Sequence, residues 1–261
     1  MTRIRTVCVA FAAAVTTCSG SAWAGSAAPA PTRITPAVQN TAADSIPHVA
    51  DSTLVRELKK GGYVIFFRHA ITNWKERDGV EGDFANRATQ RNLTEKGQMQ
   101  AAGIGLAFMA LGIPVGKVLA SPMWRCRDTA QFAFNDYDTT GALFWKGPKF
   151  RQARIEMLST PPAAGKNLVL VGHQDQIIPL VAALRRDQLK EGDALVFQPL
   201  SHGKFRVVSQ VTPRDWARLS ETAPPTDQVS PSGSMPGLPE FQEDSTETPK
   251  KPEKPEKLET H

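Results

Sequence analysis

Three apolar runs in this chain stop on short motifs that carry a polar side chain, and that pattern limits the possible fold more than any other feature. Residues 63–67 end in Arg68-His69-Ala70, residues 117–120 in Ser121-Pro122, and residues 167–171 in Gly172-His173. Each run is continuous rather than alternating, as expected of a strand buried on both faces. Helical patterns fall between them. Leu54, Val55 and Leu58 form an amphipathic turn closed by Gly61-Gly62, and Met99, Ala102, Leu106 and Met109 form an apolar stripe in a helix that starts at Thr94 and stops at Gly112 and Pro114. A helix is expected from Pro122 with Ser121 as its cap. A weak strand at 142–145, a helix at 152–159 and a helix from the third run to Arg186 follow. Strands at 194–199 and 205–209 flank Ser201-His202-Gly203, and a short helix begins at Thr212. Strands alternating with helices predict a three-layer α/β/α sandwich with a mainly parallel central sheet. Ligands of such sheets sit beyond the carboxyl ends of the strands, where all three motifs stand.

The flanks have a different character. A basic start at Arg3 and Arg5, an apolar stretch at 7–15 and Ala22-Trp23-Ala24 read as a signal peptide over 1–24. The stretch is too short to span a bilayer. Cleavage leaves a periplasmic or secreted protein with no membrane span, in which Cys126 has no cysteine partner. Residues 25–50 are rich in Ala, Pro, Thr and Ser and read as a flexible leader; 222–261 read as a disordered Pro/Glu/Lys-rich tail. The stretch 51–221 remains as one domain. Formal net charge is +5, but no basic stripe with interleaved aromatics occurs, so no nucleic-acid partner is expected. His48, His69, His173, His202 and His261 show no pair at metal-ligand spacing, and no Walker-type loop occurs. Neither a metal nor another cofactor is expected, and the pattern leaves the oligomeric state open.

A phosphomonoester carries nearly two negative charges, and its transfer is catalysed mainly by positioning and electrostatic stabilisation. Planar guanidinium forks suit that task, which makes Arg68 and Arg125 candidates. On a helix from Pro122, Arg125 and Thr129 share a face, while Arg127 points the opposite way as a solvated residue. Arg91 and Thr72 are possible further phosphate ligands, with an ion pair and a turn as their structural alternatives.

In order, Arg68-His69-Ala70, Ser121-Pro122-Met123-Trp124-Arg125 with Thr129, and Gly172-His173 resemble the signatures of the histidine phosphatase superfamily, also called phosphoglycerate-mutase-like. The resemblance covers 54–219. It implies that His69 attacks phosphorus to give a phosphohistidine and that His173 donates to the phosphoryl oxygens; its spacing also selects Arg125. The nearby guanidinium groups should keep the His69 imidazole unprotonated. The implied activity is a phosphomonoesterase acting on a small phosphorylated metabolite or envelope phosphosugar. The alternatives are a noncatalytic phosphate- or phosphoglycan-binding module and a phosphomutase.

The general acid departs from the family pattern. Asp128, Asp136, Asp138 and Glu156 fall between the second and third motifs without a matching context, and Gln174 follows His173 where some members place an aspartate. Asp175, which could equally cap a helix, Glu191, Asp78 and Asp83 are the candidates. Without any of them, substrates with good leaving groups would be favoured.

Overall fold

The computed structural model describes residues 45–200 and 203–222. The expected signal peptide, most of the leader, the tail beyond Thr222 and Ser201-His202 lie outside that range. One sheet holds β1 (Val64–Arg68), β2 (Val115–Ala120), β3 (Asp138–Thr139), β4 (Asn167–Gly172), β5 (Ala194–Leu200) and β6 (Lys204–Val211), in the order β3-β2-β4-β1-β5-β6. The first four are parallel neighbours, while β5 and β6 add antiparallel at the β1 edge. The sheet is therefore mainly parallel, as the continuous apolar runs required.

Alternate β1 side chains build two cores. Ile65 and Phe67 join residues of α1 (Ser52–Lys60), α2 (Glu95–Leu111), α3 (Trp124–Phe134) and α6 (Pro213–Glu221). Val64 and Phe66 join α4 (Pro148–Ser159) and Ile177, Leu180, Val181, Leu184 and Leu189 on the other face. Strand register then aligns the motifs. Arg68 pairs with Gly172, and Ala120 with Val171. Beyond the ladder, His69 N–H donates to the Gly172 carbonyl at 3.0 Å and Ser121 N–H to the Val171 carbonyl at 2.8 Å. Residues far apart in sequence thus leave the sheet side by side.

Several local expectations need correction. Ser121 does not cap a helix at Pro122: α3 starts at Trp124 with Met123 at the cap position and no side-chain cap bond. The expected strand at 142–145 is instead a 3₁₀ turn, Gly141–Leu143, whose Ala142 N–H donates to the Thr140 hydroxyl. The helix expected to reach Arg186 is α5 (Gln174–Ile177), followed by a 3₁₀ turn at Ile178–Leu180. Pro179 supplies no N–H to extend the α-helical ladder, and the chain tightens into the 3₁₀ turn there while Ile178 keeps helical backbone.

The α2 stripe also faces the opposite way from a core stripe: Met99, Leu106 and Met109 are exposed. Its buried face is Gly97, Ala101, Ile104, Gly105, Ala107, Phe108 and Leu111. Residues 46–50, expected within the leader, pack on the domain. Pro47 accepts from Gln210 N–H at 2.9 Å, Val49 and the Ser209 hydroxyl exchange hydrogen bonds at 3.0 Å, and Ile46 and Ala50 pack on the cores. Among the described residues, no helix is long and apolar enough to cross a membrane.

Candidate active site

The aligned strand ends open into a cavity of about 350 Å³ lined by Arg68, His69, Arg91, Arg125 and His173, among others. Four of these five are nearly buried: Arg68 is 8% exposed, His69 3%, Arg125 6% and His173 9%. Each is fixed by a different element. Arg68, the last residue of β1, donates through Nη1 to the Leu189 carbonyl at 2.7 Å. His69 Nδ1 lies 2.9 Å from the Ala70 carbonyl. A carbonyl only accepts, so this contact assigns the ring proton to Nδ1 and the lone pair to Nε2.

The Thr129 position in the second motif now has a physical role. Its hydroxyl accepts from Ala70 N–H at 2.9 Å and donates to the Arg125 carbonyl at 2.7 Å, tying α3 to the loop after His69. Gly97 completes the junction. A side chain there would collide with the Ile71 carbonyl, so only glycine lets α2 come this close to the loop after His69.

His173 stands edge-on to His69, with ring centroids 5.4 Å apart. Ser121, freed from the capping role, places its hydroxyl 2.9 Å from His173 Nε2. The Cys126 sulfur lies 3.5 Å from the same nitrogen; burial pushes its thiol up to about 12, so it stays protonated. Both imidazoles are held well below their ordinary range, first by burial and then by the Arg125 guanidinium. Both rings are therefore neutral at pH 7, as an attacking nitrogen requires.

The loop at 71–92 forms the outer wall, and its ends close through the antiparallel Thr72–Leu93 bridge. Arg91 lines the cavity, stacks 4.0 Å over the Trp74 ring and has no ion pair among the described residues. The phosphate-side alternative is the one its placement fits. Thr72 does not line the cavity. Its hydroxyl instead donates to Glu191 Oε1 at 2.7 Å, which corrects the expectation of a phosphate ligand. Arg127 stacks 3.7 Å from the Trp124 ring rather than standing free in solvent.

The acid candidates separate clearly. Asp78 and Asp175 line the cavity. Asp78 Oδ1 accepts from Arg125 Nη1 at 2.8 Å and from Arg91 N–H at 3.0 Å, and Asp175 pairs with Arg186 at 2.9 Å rather than capping α5. Asp83 is outside the cavity lining and accepts from Asn86 N–H. Asp128 is held by Arg87 through two bonds of 2.7 and 2.6 Å. Asp136, Asp138 and Glu156 are exposed, and none lines the cavity.

Sequence reasoning missed Trp74, Glu81, Phe144, Lys146 and Arg186 as lining residues. Phe144 had a detectable role only through packing: its ring lies 5.0 Å from Phe84 and 6.0 Å from His173. Around the cavity, five Arg or Lys side chains face three carboxylates. Among the described residues, no cluster of His, Cys, Asp and Glu suited to a metal is found.

An unprotonated imidazole, a second buried histidine and three arginines share one cavity, the arrangement that the resemblance to histidine phosphatases implies. The model of the histidine phosphatase superfamily (branch 1) matches residues 64–140 of this chain. No curated protein matches the chain.

Among solved structures, the protein histidine phosphatase SixA complexed with tungstate is 15% identical; the match covers 59% of this chain and 98% of that one, with a TM-score of 0.45. The protein assigned as phosphohistidine phosphatase SixA of Agrobacterium tumefaciens is 21% identical, covering 58% and 99%, with a TM-score of 0.43. Phosphoserine phosphatase of Entamoeba histolytica, in complex with 3-phosphoglyceric acid, is 17% identical over 59% and 98%, with a TM-score of 0.39.

Proposed function

We propose that the chain is an exported phosphomonoesterase that hydrolyses a small phosphorylated metabolite or an envelope phosphosugar through a phosphohistidine on His69. The observation that carries this reading is the common cavity of neutral His69 and His173 with Arg68, Arg91 and Arg125. The phosphoryl group enters with its charge spread over three oxygens, and the arginine forks neutralise it there. Each of these arginines keeps a buried Nε–H without a partner among the described residues, a cost of about 1–3 kcal/mol that a bound oxyanion can offset.

With its proton on Nδ1, His69 presents the Nε2 lone pair to phosphorus, and His173 donates to a phosphoryl oxygen. Water then hydrolyses the adduct, so one hard displacement becomes two easier ones. Asp78, Glu81 and Asp175 line the cavity, and protonation of the leaving oxygen falls to one of these carboxyl groups. Export rests on the basic start, the 7–15 apolar stretch and Ala22-Trp23-Ala24.

Incubating the mature protein and a His69→Ala variant with 4-nitrophenyl phosphate tests the reading. The expected result is turnover by the first and a loss of roughly 10⁴-fold or more in the second, as for removal of a nucleophile. Equal release from both would instead favour a phosphate-binding module.

A further inference from the structure

Glu191, one of the acid candidates, stands at the nitrogen of His69 that does not attack. Its Oε1 lies 4.0 Å from His69 Nδ1 and 3.8 Å from Arg68 Nη2, with the side chain 11% exposed. The carboxylate is braced by Thr72, whose hydroxyl donates to Oε1 at 2.7 Å and whose N–H donates to Oε2 at 3.4 Å. The backbone around it is equally fixed. Gly192, at φ 87°, sends its N–H to the Arg68 and His69 carbonyls at 3.2 and 3.0 Å, and Asp193 Oδ2 accepts from Lys190 N–H at 2.8 Å. A leaving group bonded to phosphorus on the Nε2 side would be poorly served by this carboxyl. It faces the Nδ1 side of the ring instead.

The other charged or titratable groups around His69 are Arg68 at the end of β1, Arg91 at the end of the first loop, Arg125 on α3 with its Asp78 partner, and His173 after β4. Glu191 is the only carboxylate within 4.0 Å of a His69 nitrogen among the described residues. In free enzyme the ring is neutral and the arginines cost it little. Once Nε2 bonds phosphorus with Nδ1 still protonated, the ring becomes cationic among guanidinium groups, and the Ala70 carbonyl that fixes the tautomer carries no charge to balance it.

We propose that Glu191, braced by Thr72, is a positioning residue that retains the Nδ1 proton of His69 through the phosphohistidine intermediate and so speeds its hydrolysis. This inference rests on the phosphohistidine reading above. In the first step the Nε2 lone pair forms the N–P bond while the ester P–O bond breaks, its electron pair leaving on the ester oxygen, which takes up a proton. In the second, a water oxygen bonds phosphorus and loses a proton, the N–P bond breaks, and its electron pair returns to Nε2. Nδ1 keeps its proton in both steps, so the group expelled is neutral imidazole. Loss of that proton from the intermediate would require expulsion of imidazolate, a far poorer leaving group.

An opposite charge at this separation shifts an ionisation by about one to three pH units. Rapid-quench measurement of full-length protein with 4-nitrophenyl phosphate, following both nitrophenol and acid-labile phosphoryl adduct, reads the effect. In Glu191→Gln, adduct formation is expected to continue while its breakdown slows about ten- to a hundredfold, producing a burst, and the alkaline limb of breakdown moves at least about one pH unit lower. Glu191→Asp recovers part of the rate. Thr72→Val, which loosens the brace without removing the charge, gives a smaller slowing and serves where Glu191→Gln does not fold.

An adduct that decays in these variants at the wild-type rate, with an unmoved pH limb, overturns the inference alone. Absence of any adduct in the wild-type protein overturns the phosphohistidine reading and this inference with it.

Discussion

The cradle at the strand ends and the wall contributed by the 71–92 loop surround the same cavity but are built differently. Arg68, His69, Arg125 and His173 are nearly buried and anchored by strand register, by α3 and by backbone carbonyls. On the loop side Trp74 is 64% exposed, and the Asp78 side chain is 40% exposed. Pre-set donors in a water-poor pocket stabilise charge without reorganising, whereas exposed side chains are screened by solvent. Under the proposed function, transition-state chemistry falls to the cradle and substrate selection to the wall.

Replacing one arginine in each region is the sharpest way to break that division. Arg125→Ala should lower kcat about 10²–10³-fold, as for loss of a preorganised donor. Arg91→Ala, at the seam of loop and cradle, should cost about tenfold and mainly in KM, because removal of binding shared by ground and transition states leaves kcat largely unchanged. Steady-state kinetics of both variants with an aryl phosphate checks this, and equal losses in kcat would erase the distinction.

Buried neutral histidines also make the cradle sensitive to pH in a way the wall is not. His69 and His173 have their ionisations depressed in the folded protein by burial and then by Arg125. The unfolded chain therefore binds protons more readily below about pH 6.5, the ordinary imidazole value. Their contribution to stability is complete above that pH and is lost as pH falls towards the depressed folded values. Melting temperature should drop between pH 7.5 and 5.5, and the drop should shrink in His69→Gln. Thermal unfolding across that range reads both, and an identical slope in the two proteins would place the titrating groups elsewhere.

The smallest effect is expected far from either region. Leu106→Ser removes an exposed side chain from the outer face of α2 and should change stability by no more than about 0.5 kcal/mol in denaturant unfolding.

That last position shows where sequence reading fails. Residues of α2 are apolar on nearly every side, so helical spacing cannot choose the buried face. Backbone approach chooses it: Gly97 and Gly105 admit the main chains of Ile71 and Ala133, turning Met99, Leu106 and Met109 outwards. The strand ends were legible because a buried strand needs a continuous apolar run and an Arg or His pair marks its stop. β1 and β4 each extend one residue beyond the expected limit, to Arg68 and Gly172.

At the site, His69, Arg68, Arg125 and His173 carried local signatures. The Thr72–Glu191 brace joins residues 119 apart, and the Asp78–Arg125 pair residues 47 apart, so no local pattern announces either. Pro179 lies inside the helix expected to reach Arg186, and α5 stops before it at Ile177.

The central claim is that one phosphoryl group is held by the whole cradle with His69 Nε2 in line for attack. A crystal structure of the protein with orthovanadate tests it most directly. The account predicts vanadium bonded to His69 Nε2, with equatorial oxygens on Arg68, Arg125 and His173. Vanadate bound away from His69, or bonded to His173 in its place, would contradict it.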